Sequence, residues 1–196
     1  MRYAKDHKDK THRQIVKIAS QKFRQEGIEK VSIPIVMEEA GLTVGGFYSH
    51  FKSKEDLIKE AISCAADETL CRLFKATNDT RPDGLKAMLE AYLSTEHCNG
   101  VKSGCILASL ASELKNRPAK TLEVIAEKTE SFIRKIAALL PSRINADKRM
   151  KVASSVLGLM VGTLQIARII PNQELSEQIL KDGIVNALKL TSEINI

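Results

Sequence analysis

The 196-residue chain has no tryptophan, three tyrosines and five phenylalanines, so aromatics make up only 4% of it. Sheets draw on aromatic and β-branched residues to cover their pleated faces, and no alternating apolar–polar stretch is present either. Four cysteines (Cys64, Cys71, Cys98, Cys105) stand without an apolar leader ahead of them. The expectation is of reduced thiols in a cytoplasmic protein, not of a disulfide framework. No run reaches the roughly 18 uninterrupted apolar residues of a membrane-spanning helix, so no membrane partner is expected. Also missing are a glycine-rich phosphate cradle, a Gly-x-Ser-x-Gly elbow and any ligand set with metal-site spacing. The four histidines are scattered. The sequence therefore points away from an enzyme, and no cofactor is expected.

What is present favours helices. Apolar residues are 43% and charged residues 28% of the chain, and Ala, Leu, Ile, Lys and Glu dominate. The expected class is all-α with about nine helices. The net charge of +6 is uneven: residues 1–59 hold twelve Lys/Arg against eight Asp/Glu. A basic N-terminal part suits a polyanion such as DNA, although a solvated charged face gives the same count. Asp9–Gln25 repeats Ile15, Ile18, Ala19 and Phe23 at helical spacing and stops at Gly27. Ser32 is placed to cap a short helix with Pro34 in its first turn. Ser53-Lys54-Glu55-Asp56 has the form of a capping box opening a long helix to about Phe74. Residues 76–83 read as a polar loop, as does His97–Gly104. Asn116-Arg117-Pro118, Pro141 and Pro171 separate the later helices.

Two helices joined by a tight turn need a small residue before the turn and one tolerating positive φ within it. Ala40-Gly41 supplies both, and Leu42 is expected to plug the junction. The second helix, expected over Thr43–His50, turns Phe47 and Phe51 inward and Val44 partly so. Its other face carries Gly45, Gly46, Tyr48, Ser49 and His50, small at the start and polar after it. That is the layout of a helix whose start enters a major groove while later residues meet phosphates. A helical interaction module without sequence-specific DNA binding would share the core pattern and is the competing expectation.

The residues Glu39-Ala40-Gly41-Leu42-Thr43-Val44-Gly45-Gly46-Phe47-Tyr48-Ser49-His50-Phe51-Lys52-Ser53-Lys54-Glu55-Asp56-Leu57 resemble the signature of the TetR family of bacterial repressors. With the first helix the resemblance covers about residues 9–60. It implies a DNA-binding domain over 1–52 and a helical ligand-sensing and dimerising domain over 53–196. It further implies that Thr43, Val44, Gly45 and Gly46 meet bases or adjacent backbone, and that Tyr48 and His50 contact phosphates. Lys54, at the start of the fourth helix, and Ser32 are expected to add phosphate contacts. Family members often carry Lys or another polar residue at position 44 and a polar one at 46. With Val44 and Gly46 here, readout is expected to lean on thymine methyl groups and DNA shape. The tail Met1–Arg13, with Arg2, Lys5, Lys8, Lys10 and Arg13, is either a phosphate-tracking arm or a solvated disordered tail.

Gly158 and Gly162, four apart on a long apolar helix with charged flanks, let two helices approach closely. Within the resemblance the last two helices form a four-helix bundle with a second copy. The implied homodimer seam carries Val156, Gly158, Leu159, Gly162 and Ile166. The partners implied are thus a double-stranded DNA operator, a second copy and a small, mostly apolar effector. Met88, Tyr92, Leu107, Phe132, Met160 and Leu164 are candidates to line the effector pocket. Cys105 is expected in the first turn of an apolar helix, where the dipole favours thiolate. Its Ser103-Gly104-Cys105 segment resembles a branch of the family that includes electrophile- and oxidant-responsive repressors. A small buried core cysteine is the other reading. Cys64 and Cys71, seven apart, are expected in the core.

Overall fold

Ten α-helices and one 3-10 turn follow one another in a computed structural model that describes residues 2–75 and 83–192, without the side chains of residues 2–5 and 192. They are α1 Arg2–Glu26, α2 Ile33–Glu39, α3 Val44–Phe47, α4 Lys54–Lys75 and α5 Gly84–Tyr92. Then come α6 Thr95–Asn99, a 3-10 turn Val101–Ser103, α7 Ile106–Leu114, α8 Ala119–Ala138, α9 Ala146–Ile169 and α10 Gln173–Ser192. Most of the loop read over residues 76–83 lies outside the described residues. The all-α expectation holds among the described residues. α6 and the 3-10 turn replace the single loop read over His97–Gly104, because Ser94 caps α6 by accepting from the His97 N–H at 3.1 Å.

The apolar residues gather into two clusters, with α4 as their common spine. The N-terminal cluster buries Ile15, Ala19 and Phe23 of α1, Val36 and Met37 of α2, Phe47, Phe51 and the first half of α4. Ile106, Leu110 and Leu114 of α7 close it from the far side. The second cluster joins the end of α4, from Leu70 on, to α5, α8, α9 and α10. α1 begins at Arg2, earlier than the periodicity suggested, so Lys8, Lys10 and Arg13 ride on a helix and not on a loose tail. The side chains of Arg2 and Lys5 lie outside the described residues.

α9 has the length and apolar composition to cross a membrane, and a third of its apolar stretch is buried inside the chain. Its inner face, Ala153, Val156, Met160 and Leu164, is fully enclosed. Val156, expected at the dimer seam, therefore belongs to the chain's own core. Periodicity identifies an apolar helix but cannot tell its inner face from its outer one. The outer face carries Gly158, Gly162 and Ile166, the last 52% exposed, with Leu159 half-buried beside them. A Cβ added at Gly158 or Gly162 would touch nothing among the described residues, whose packing therefore requires neither glycine.

Candidate nucleic-acid interface

The turn between α2 and α3 has the chemistry its sequence demands. Gly41 takes φ +70, which an L side chain rarely adopts, and its N–H and that of Leu42 bond back to Glu38 and Met37 at 2.9 Å each. Leu42 is 37% exposed and does not plug the junction; Met37, fully buried, fills it. α3 is shorter than expected. Two consecutive glycines are poor helix formers, and after Phe47 the backbone tightens into i to i+3 bonds at Ser49 and His50. Ser49 Oγ donates to the Gly46 carbonyl at 2.7 Å, which competes with a longer helix.

The faces of α3 separate cleanly. Phe47 is buried and stacks on Phe51 with ring centroids 5.2 Å apart. Val44 and Tyr48 are 45% and 67% exposed, so Val44 is a surface residue and not a core one. Thr43 and Ser32 are exposed at the starts of α3 and α2, and neither side chain caps its helix. Gly45 faces open space, and a Cβ on Gly46 would make only ordinary contacts with Thr43 and Met37. Nothing among the described residues requires the bareness of this face.

His50 is half-buried behind α3, and burial, then the neighbouring charges of His12 and Lys8, lower its pKa. His12 of α1, not singled out by the sequence, stacks on Phe51 at 4.5 Å and holds Glu60 of α4 at 2.6 Å. Lys54 does not simply project to solvent. Its Nζ donates to the Ile28 carbonyl at 3.0 Å and so ties α4 to the connection between α1 and α2. The serine half of the capping box is present, with the Asp56 N–H donating to Ser53 Oγ at 3.1 Å, while the Asp56 carboxylate pairs with Lys59 at 2.7 Å.

Arg24 is the largest feature that sequence reasoning missed. Its side chain is fully enclosed, yet it donates to Ser20, to the Gly104 carbonyl at 3.0 Å and to Glu68 at 2.9 Å. Arg72 reaches the Ser103 carbonyl at 2.6 Å, and Arg168 reaches the His97 and Cys98 carbonyls. Three guanidinium groups from α1, α4 and α9 thus grip the segment leading into Cys105. His97 is buried there: its Nδ1 meets the Tyr92 carbonyl at 2.6 Å and its Nε2 accepts from the Cys105 N–H at 2.9 Å. Burial pushes its pKa down to about 4. The Tyr92 hydroxyl is raised well above its ordinary pKa by burial and by the Cys105 thiol beside it.

Cys105 is the N-cap residue of α7, one position before the expected first turn, and is buried. With Leu107, Thr69, Ile125 and Phe132 it lines a narrow, partly open apolar cavity of about 20 Å³ between α4, α7 and α8. Of the six expected lining residues, only Leu107 and Phe132 reach this cavity. Met88, Tyr92, Met160 and Leu164 are fully buried core. Cys71 corrects another expectation, since it is exposed, while Cys64 is half-buried and desolvation raises its pKa. No group of three or more His, Cys, Asp or Glu suited to a metal occurs among the described residues.

A bare helix start presented outward on a helix-turn-helix, backed by a helical bundle, defines a DNA-reading regulator fold. Residues 15–61 match the family described as bacterial regulatory proteins, tetR family. Over those residues the chain carries the helix-turn-helix segment of that family. The HTH-type transcriptional regulator YfiR of Bacillus subtilis (strain 168) is 35% identical over 89 residues, which are 45% of this chain and 42% of that protein. The HTH-type transcriptional regulator AcrR of Shigella flexneri is 36% identical over 59 residues, covering 30% of this chain and 27% of that one. The matches therefore span less than half of either curated relative. The same fold recurs in the reduced form of E. coli NemR, with a TM-score of 0.77 and 17% identity over 92% of this chain and 96% of that one. A TetR transcriptional regulator from Chloroflexus aurantiacus J-10-FL gives 0.75 and 21% over 94% and 95%.

Proposed function

We propose that the chain is a transcriptional repressor that binds a palindromic DNA operator as a homodimer in the cytoplasm. A small, mostly apolar effector, or modification of the Cys105 thiol, releases it. Residues 1–52 read DNA, and residues 53–196 sense and dimerise. The observation that carries this reading is the outer face of α3, where Val44 and Tyr48 stand exposed on a helix pinned from behind by Phe47. Val44 meets a thymine methyl, and Gly45 and Gly46 let the backbone approach the bases closely. Tyr48, Thr43, Ser32 and His50 supply hydrogen bonds to phosphates. Lys54 keeps the Ile28 carbonyl while the first N–H groups of α4 and its charge face the backbone of the duplex.

A second copy covers the outer face of α9 and α10, where Ile166 (52% exposed), Ile169 (75%), Leu175 (50%) and Val185 (49%) leave apolar surface in water. Two-fold symmetry then sets two copies of α3 on successive major grooves about 34 Å apart. An occupant of the Cys105 cavity, or a group added to its thiol, favours a dimer geometry in which that spacing is lost.

Titration of a duplex with the native chain at rising salt tests the reading. Affinity is expected to fall steeply and linearly on a log–log plot. Tyr48→Ala is expected to weaken binding to every duplex by about tenfold, the worth of one hydrogen bond to a charged group, without lowering thermal stability. Lys54→Ala is expected to do both, because the Ile28 carbonyl loses its donor. A flat salt response, or a loss confined to one base position with Tyr48→Ala, would sink the assignment.

A further inference from the structure

α7 is bonded to the end of α1 through both of its own ends. At its start, the Gly104 carbonyl accepts from Arg24 at 3.0 Å. At its finish, one oxygen of Glu113 accepts from the backbone N–H of Ile28 at 2.8 Å and of Glu29 at 3.3 Å. Those two amides sit in the connection between α1 and α2. Gly27, just before them, has φ +90, and a Cβ there would stand 2.7 Å from the other Glu113 oxygen. The connection is thus shaped to receive this carboxylate. Arg117, just beyond α7, adds ion pairs to Glu29 and Glu55, and Lys54 holds the Ile28 carbonyl from below.

The same α7 forms one wall of the Cys105 cavity, through Ile106 and Leu107. At about 20 Å³ that cavity holds little more than a water, so a larger occupant seated between its helices presses on their walls. The other walls, α4 and α8, are helices of 22 and 20 residues, whereas α7 has nine. α7 is the shortest of the three walls. Displacing it moves the Glu113 carboxylate, and with it the connection that leads into α2 and on to α3.

We propose that Glu113 is a positioning residue that makes α7 a strut between the cavity and the helix-turn-helix. Its consequence for DNA rests on the reading above, while its mechanical part does not. The test fills the cavity without any effector, by Leu107→Phe, in three backgrounds: native, Glu113→Ala, and Glu113→Gln, which keeps an acceptor oxygen. Ala66→Leu, filling the same cavity from α4, replaces Leu107→Phe if that chain does not fold. Two readouts on the full chain are amide hydrogen exchange over residues 33–47 and affinity for a duplex that the native chain selects from a random pool.

In the native and Glu113→Gln backgrounds, Leu107→Phe is expected to speed exchange and weaken DNA binding by about tenfold, a typical coupling between sites. With Glu113→Ala the same substitution should change either readout less than twofold, because the strut is cut. A purely structural Glu113 would leave the tenfold effect intact in the Ala background, and that overturns the proposal. So does a filled cavity that changes exchange in no background. If the native chain selects no duplex, the DNA reading fails on its own, and hydrogen exchange still decides the strut.

Discussion

A chain carrying Glu68→Ala is expected to lose about 3 kcal/mol of stability, more than a chain carrying Arg24→Met. The larger loss falls on the more exposed partner because of what each substitution leaves behind. The Arg24 side chain is fully enclosed, whereas that of Glu68 is 36% exposed. Removing Glu68 strands a guanidinium in the interior with only neutral acceptors, Ser20 and the Gly104 carbonyl. Removing Arg24 leaves a carboxylate that water can reach and a Gly104 carbonyl that still accepts from Thr69 Oγ1 at 3.4 Å, at a cost of about 1–2 kcal/mol. The double variant should then resemble Arg24→Met alone. Thermal melts separate these outcomes, since 3 kcal/mol corresponds to roughly 6–12 °C for a chain of this size. A Glu68→Ala chain as stable as the native one would show that Arg24 needs no counter-charge.

The second large effect is on acid stability. His97 is held to a pKa of about 4 against an ordinary 6.5, chiefly by burial. A histidine depressed in the folded state contributes stability that is fully present above 6.5 and lost as pH falls towards 4, because the unfolded chain takes up the proton first. The contribution is about 3 kcal/mol at neutral pH. Urea unfolding at pH 7 and pH 4.5 should show a loss of most of this, on top of what the carboxylates contribute. With His97→Gln, which can keep one of the two ring hydrogen bonds, the chain should start less stable and lose less on acidification. Equal losses in both chains would show that His97 titrates normally. Protonation also removes the acceptor of the Cys105 N–H, so the segment gripped by the three arginines loosens over the same window.

The parts legible in the sequence were those written in adjacent residues. Ala40-Gly41 specified its turn, Pro118 and Pro171 separated helices, and Phe47 and Phe51 showed the inner side of the reading helix. The hidden parts join residues far apart in the chain. Arg24 meets Gly104 across 80 positions, and Glu113 meets Ile28 across 85. Helical periodicity marks a face but names no partner for it, so it turns Val156 outward and Cys71 inward, whereas Val156 is buried and Cys71 exposed. An isolated arginine amid a polar helix carries no mark of burial, because its partners are two backbone carbonyls, which every residue has, and Ser20 and Glu68, which no spacing singles out.

Two-fold reading of duplex DNA by α3 is the central claim, and selection of duplexes from a random pool by the native chain tests it most directly. The account predicts an enriched inverted repeat with half-site centres about 10 base pairs, or a multiple of one turn, apart. Each complex should hold an even number of chains. Enrichment of no repeat, with weak binding that only tracks salt, would contradict it.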